Sequence, residues 1–449
     1  MTAISDTTPE AAGYPPARSA WGLVILLTIA YVFSFVDRYI LGLLLQPIKE
    51  DLQLTDFQIG LLLGPAFAIF YATMGLPLGW LADRSRRTWI VGAGVALWSL
   101  ATAASGLAKS FFHLFIARMA VGVGEATLSP CAMSMIADSF PKDKRGAPIG
   151  LYSAALSLGA GFASLIGAAV LVWAKTAPEI VVPLAGAVEP WQLTFFIVGL
   201  PGLVVALPFF LLREPRRQLE AKEDREVAGS NLSDMLGYVA QRWGTYATFV
   251  SIACVMTIIA YSQGWLAATF DRTWNWPPER FALVNGIITL ILGPATVNSV
   301  GWLSDYWSQR GRRTAPLTIM FAGALLMVPT GIIAPLMPDP ISAFAVFALN
   351  TVGIATVTTT AITALLNITP GKVRAQMVAL YYMVISITGL LLGPPTVGWL
   401  TDNVVGTENL RYAMAMLPAI YGTIPLLLIP VTRRLYVQQM DRLEGRVDR

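Results

Sequence analysis

The sequence predicts an all-α integral membrane protein: twelve transmembrane helices in two six-helix bundles related by pseudo-two-fold symmetry. Three observations predict it. Of 449 residues, 55% are hydrophobic and 13% charged, where soluble chains carry roughly 25% charged residues. Apolar stretches of spanning length recur along the whole chain. Two cytoplasmic-type loop segments occur twice, once in each half.

The spans follow in order. A membrane helix needs about 20 mostly apolar residues. Qualifying runs begin near Trp21, Gln58, Trp89, Phe112, Ala147 and Gln192, then near Thr245, Phe281, Pro316, Ile341, Ala375 and Arg411. Residues 1–20 read as a disordered cytoplasmic tail, because they lack the basic start of a signal peptide and the run after them is too long for a signal core. Residues 21–212 form the first bundle, 213–244 a cytoplasmic linker, 245–432 the second bundle and 433–449 a cytoplasmic tail. The 38 Gly and 29 Pro fit membrane helices, which carry more of both than soluble helices do.

Basic residues fix the orientation. With both termini inside, 23 Lys and Arg fall in inner loops and tails. Six fall outside, namely Lys49, Lys109, Lys175, Arg272, Arg280 and Arg411, and Arg38 and Arg118 lie within spans, completing 31. This is the positive-inside bias, and one missed helix would invert every later loop. Arg86, Arg87, Arg312 and Arg313 are read here as loop charges that obey it.

The repeat is specific. GWLADRSRRT begins at Gly79 and GWLSDYWSQRGRRT at Gly301. Pro141, Arg145, Leu151 and Tyr152 recur as Pro370, Arg374, Leu380 and Tyr381 at a constant offset of 229 residues. Parallel six-helix repeats describe the architecture of major facilitator transporters. Gly79 to Arg87 resembles the loop signature of that superfamily, although Arg86 stands where the signature has Gly. A narrower resemblance covers residues 30–217. It rests on FVDRY from Phe35, GWLADR from Gly79, ARMAVGVGEA from Ala117, IADSF from Ile136 and REP from Arg213. Together these resemble the spinster family, in a bacterial-type form. That resemblance implies proton-driven transport of lysolipids or sphingolipids by a monomer.

Ionisable groups at bilayer depth are expensive and therefore functional candidates. Asp37 and Arg38 fall in the first span, Arg118 and Glu125 in the fourth. At 1.5 Å per residue, Asp37 lies ~24 Å along its helix, Arg118 ~9 Å below the outer end and Glu125 ~20 Å below it. The expected arrangement is an Asp37–Arg118 pair with Glu125 beneath. Arg38, about 100° round the helix from Asp37, points elsewhere. A carboxyl is easier to ionise beside an arginine and harder in a dry cavity, so opening and closing would load and release a proton. Asp37 is the first candidate and Glu125 the second. Arg118 has the planar fork that suits phosphate or carboxylate.

Asp83, Arg84, Asp138 and Arg145, with second-half counterparts Asp305 and Arg374, are the expected cytoplasmic gate. Tyr261, Gln263, Asn350 and Thr351 are the polar candidates for the second wall of a substrate cavity. One wall is charged and the other nearly apolar, which favours an amphiphilic substrate; small organic anions or sugar acids remain the alternative. The driving force is a proton gradient, with no cofactor. A single histidine, His113, and two cysteines in apolar runs exclude multi-imidazole metal sites, and no nucleophile–base pair marks an enzyme. A net charge of +4 gives no nucleic-acid footprint. The expected setting is the lipid bilayer of a cell membrane, the inner membrane of a bacterium.

Overall fold

In lipid the backbone must satisfy its own hydrogen bonds, so apolar runs of this length become helices. The computed structural model describes residues 14–141, 144–176, 181–182, 186–217, 232–370 and 373–444, apart from a few individual side chains, among them that of Asp83. Most of the proposed N-terminal tail, the middle of the linker, Lys142 and Lys372 lie outside the described residues.

Twelve helical spans are long and apolar enough to cross a membrane. The first six are Ala17–Leu43, Asp56–Gly75, Arg87–Ser105, Phe111–Ser139, Gly146–Thr176 and Pro190–Leu211. The second six are Trp243–Trp274, Pro278–Gln309, Ala315–Leu336, Pro340–Asn367, Gln376–Val405 and Thr407–Leu427. They are called spans 1 to 12 below. A two-residue hairpin, β1 (Val181–Val182) and β2 (Gly186–Ala187), lies between spans 5 and 6. Shorter helices Leu232–Gln241 and Ile429–Leu443 flank the second bundle.

Odd-numbered spans run away from the face that carries the chain ends, here the terminal face, toward the distal face. Three starts at the distal face, those of spans 2, 4 and 10, are capped by the short polar side chains of Thr55, Ser110 and Asp339, which satisfy otherwise unpaired N–H groups. Thr55 and Gln58 form a reciprocal capping box at span 2. The Asp339 carboxylate accepts from the N–H groups of Ile341 and Ser342 at 3.0 and 2.9 Å, and these bonds hold it below the usual carboxylate range.

The two bundles meet in their distal halves. Arg272 of span 7 donates to both oxygens of Asp56 in span 2, at 2.8 and 3.0 Å. Lys49 sits on the same carboxylate at 2.8 Å. Asp402, at the end of span 11, accepts from the backbone N–H of Asp56 at 3.1 Å and of Phe57 at 2.7 Å. Lys175 of span 5 bonds Glu279 of span 8. Both of these cross-bundle ion pairs, Arg272–Asp56 and Lys175–Glu279, lie at the distal face. The structure is therefore a state closed on the distal side.

Glycines allow that closure. A Cβ on Gly64 of span 2 would lie 2.0 Å from the Leu390 carbonyl oxygen of span 11, and one on Gly60 2.7 Å from that of Pro394. Backbone cannot yield at such distances, so Gly64→Ala is expected to hold spans 2 and 11 apart. A cysteine placed at the fully buried Ile59, in a background lacking Cys131 and Cys254, should then react several-fold faster with a membrane-impermeant maleimide. An unchanged rate would show that closure does not need this contact.

Candidate functional site

The charged side chains buried in the described structure are Asp37, Asp56, Arg87, Arg118 and Glu125. All belong to the first bundle. Three of them, with Arg38, form one cluster between spans 1, 2 and 4.

Small residues bring those spans together. A Cβ at Gly122 would lie 2.5 Å from the Phe67 carbonyl oxygen of span 2, and one at Gly124 2.7 Å from that of Gly94 in span 3. The spacing from Arg118 through Gly122 and Gly124 to Glu125 thus sets helix packing and charge placement together. The first helical segment of span 4 ends at Glu125 and a second starts at Leu128. Glu125 consequently sits at a break in a membrane helix, where transporters commonly place their sites.

The pairing differs from the sequence expectation. Arg38 donates from Nε to Glu125 Oε2 at 2.6 Å, and a second guanidinium nitrogen contacts the same oxygen. The Arg38 guanidinium lies against the rings of Phe67 at 4.7 Å, Tyr71 at 5.3 Å and Phe35 at 5.6 Å. Arg118 donates to the backbone oxygen of Asp37 at 3.3 Å rather than to its carboxylate. The expected Asp37–Arg118 ion pair is therefore replaced by an Arg38–Glu125 pair. The reason is rotational. Neighbouring residues on a helix diverge by about 100°, and span 1 turns Arg38 to the aromatic seam while Asp37 turns toward Thr102 of span 3.

The cluster is incompletely satisfied. Asp37 Oδ1, Arg118 Nε and Glu125 Oε1 are buried with no hydrogen-bond partner among the described residues. Buried polar groups are normally paired, so these atoms make the cluster a candidate site. Arg38 is the more exposed partner of its pair with Glu125, with 22% of its side chain accessible against 1% for Glu125.

On the second bundle, Tyr261 of span 7 lies within electrostatic reach of Arg38, Tyr71 and Glu125 and packs against Gly389 of span 11. The other cavity candidates are turned inward. Gln263 donates to Asn350 at 3.0 Å. Asn350 donates to the Met327 carbonyl at 2.7 Å and to Thr330 at 3.2 Å. It is 1% exposed, so it ties spans 7, 9 and 10 together within the bundle. Thr351 bonds the Phe347 carbonyl of its own helix at 3.0 Å. Its residue type gave no sign of that, because a threonine in a helix bonds back along its own turn as readily as outward.

The expected gate is also redistributed. Arg145 bonds the Phe140 carbonyl at 2.9 Å, Arg84 stacks on Trp80 at 4.0 Å, and Arg374 reaches the Thr369 carbonyl at 3.5 Å. Asp305 is exposed and in no ion pair with a described residue. The Asp83 side chain lies outside the described ones. Asp138 does pair, but with Arg87 at 2.5 Å, inside one bundle. Arg87, read from sequence as a loop charge, is instead a buried hub. It bonds Glu214 at 2.6 Å, Ser134 at 2.7 Å and the Pro215 carbonyl at 3.1 Å. It thus pins the terminal ends of spans 3, 4 and 6. Removing one partner of a buried pair costs about 3–5 kcal/mol. Arg87→Ala, which strands Asp138 and Glu214 in partly exposed positions, should cost about 3 kcal/mol at the lower end of that range. Thermal unfolding in detergent reads this as a lowered midpoint; an unshifted midpoint would refute the hub.

Among the described residues no group of three or more His, Cys, Asp or Glu is placed to hold a metal ion.

Comparison with known proteins places this geometry. The model of the Major Facilitator Superfamily matches residues 27–337. An MFS-type efflux pump of Mycolicibacterium smegmatis is 28% identical over 409 residues, covering 90% of each chain. A probable L-galactonate transporter of Escherichia coli is 27% identical, covering 68% of each. Protein spinster of Drosophila melanogaster is 26% identical over 70% of this chain and half of its own length. Twelve spans in two bundles, a charged cluster at mid-membrane and a matched family model converge: the chain belongs to the Major Facilitator Superfamily and is a membrane transporter similar to the spinster proteins.

Proposed function

We propose that this transporter couples proton movement to the passage of an amphiphilic, lipid-like substrate such as a lysophospholipid or sphingoid lipid, working as a monomer by alternating access. The observation that carries the reading is Asp37, a fully buried carboxyl beside Arg118 but not ion-paired with it. An unpaired charge at that depth is expensive, whereas a neutral carboxyl there is not. Binding and losing a proton at Asp37 therefore changes which conformation is favoured. Glu125 is the second proton site, linked through Arg38.

The positive-inside bias puts the termini and the terminal face in the cytoplasm of a bacterial cell, so the distal-closed state faces inward. Arg118 keeps an unpartnered Nε and can hold an anionic head group through its planar fork. The facing wall, built around Tyr261 and apolar neighbours, suits a tail. The likeness to protein spinster adds to this reading, and no cofactor beyond the proton gradient enters it.

The second reading is a proton-coupled carrier of sugar acids, favoured by the likeness to a probable L-galactonate transporter and by the same arginine. Proteoliposomes with an imposed pH gradient separate the two. Uptake of a lysophospholipid or sphingoid base, and a thermal shift with it but not with L-galactonate, supports the first. The reverse pattern replaces it with the second, and no movement of either substrate under any gradient rejects both.

A further inference from the structure

A groove of ≈450 Å³ runs along the flank of the first bundle, and Val123 and Thr127, either side of Glu125 on span 4, are among its walls. Its walls come from spans 2, 3, 4 and 6: Leu78, Leu81, Ala93, Leu97, Val123 and Phe210 are among them. Almost all of its lining is apolar. The volume falls within the roughly 300–1,000 Å³ of small-ligand sites. From Trp89 to Leu97 it follows span 3 for roughly 12 Å, at 1.5 Å per residue. All of its walls belong to one bundle, so it is not part of the path between bundles. Leu81, Trp89, Leu97 and Phe210 are exposed along it, and in a bilayer an exposed apolar flank of spanning helices meets hydrocarbon.

Its mouth is different in kind. Ser85, Arg86 and Trp89 border it, at the turn between spans 2 and 3. The Arg86 guanidinium lies on the Trp89 ring at 5.3 Å, and that of Arg84, two residues earlier, lies on Trp80 at 4.0 Å. Arg and Trp at such a level are interface residues. Neither arginine forms an ion pair with a described residue. The nearby carboxylates are already committed, since Asp138 and Glu214 are both held by the buried Arg87. Among the described residues, Arg86 thus borders an apolar slot without an ion-pair partner, and Arg84 lies two residues before it.

We infer that this groove binds one acyl chain of an anionic phospholipid from the leaflet on the terminal side, with its phosphate on Arg86 and Arg84. Apolar walls take the chain, the guanidinium fork matches phosphate oxygens, and the second positive charge gives a preference for a net-negative lipid. The site is a resident-lipid site, separate from the transport reading above.

The test reads lipid retention and not transport. Purified protein is exchanged into mixed micelles of phosphatidylglycerol and phosphatidylcholine, and bound lipid is counted by native mass spectrometry. Wild type should retain phosphatidylglycerol over phosphatidylcholine. A basic side chain near an anionic surface is worth about five-fold in binding, so Arg86→Gln should lower phosphatidylglycerol retention by about that factor. Arg84→Gln should lower it too. Ala93→Phe, which fills the exposed middle of the slot, should abolish retention while the unfolding midpoint in detergent stays near that of wild type; Leu97→Trp serves the same purpose if that variant is unstable. Arg312→Gln, removing an exposed arginine stacked on Trp307 in the second half, should change nothing. Inorganic phosphate or glycerol 3-phosphate at millimolar levels should not displace the lipid. Equal retention of the two lipids by wild type, or full retention by the filled-groove variants, would overturn the proposal. Displacement by free phosphate would assign the mouth to a soluble anion instead and overturn it as well.

Discussion

Asp37→Asn is expected to abolish accumulation of substrate against its gradient while leaving downhill exchange. One pH unit is worth about 1.4 kcal/mol per proton, so a carrier that moves one proton per substrate sustains a ratio of about ten across that gradient. Asparagine has the shape of a protonated aspartate and cannot change its charge. The variant should move substrate down its gradient with the Arg118 contact to the residue 37 carbonyl intact, and its accumulation ratio should fall from about ten toward one. Proteoliposomes with the membrane potential clamped measure both quantities. A ratio that stays near ten removes the proton assignment from Asp37 and moves it to Glu125. Glu125→Gln does not give so clean a result, because it also strands Arg38 among aromatic rings.

Asp56→Asn should tip the protein away from the state closed on the distal side. Asp56 is fully buried and holds both Arg272 and Lys49. Its loss leaves two cations short of a partner in a half-buried interface, at a cost of about 3 kcal/mol. That cost falls on the closed state, because Arg272 belongs to the other bundle and separates from Asp56 when the distal face opens. A shift of this size changes a conformational ratio by more than about a hundred-fold. Spin labels at Leu107 and Ile341, exposed on the distal ends of opposite bundles, should report a longer mean distance in the variant. An unchanged distribution would show that the glycine contacts of spans 2 and 11 suffice for closure. Added salt should imitate the substitution only weakly, since buried pairs are poorly screened.

Much of this was legible in the sequence. The number of spans followed from apolar run length, and the inverse requirement on loop charge checked it. The membership of the cluster followed from the rarity of charge at depth: Asp37, Arg38, Arg118 and Glu125 do gather in one place. Their pairing was not legible. Depth along a helix is a count of residues, but the direction a side chain takes depends on how the whole helix is rotated in its bundle. Gly122 and Gly124 bring span 4 against Phe67 of span 2 and Gly94 of span 3, a close approach with no signature beyond small size. Arg87 was misread for a related reason. Arg86, Arg87, Arg312 and Arg313 look alike in sequence, and only Glu214, just past the end of span 6 and over a hundred residues away, draws one of them inward. The wall made by Asn350 failed because a polar side chain in an apolar helix serves as glue as readily as lining. The expected terminal-face gate is not formed in this structure, where Arg84, Arg145 and Arg374 each engage a group a few residues away in their own segment.

The confinement of buried charge to one bundle has a practical consequence. On the proposed reading, the first half carries the proton sites and the second supplies bare wall. Altering the interior faces of spans 7 and 10 would therefore retune which molecules fit without touching the energy source. A hybrid carrying the first half of this protein and the second half of a sugar-acid relative is a direct way to exploit that division: its cargo would follow the grafted half, and its response to pH would stay with Asp37.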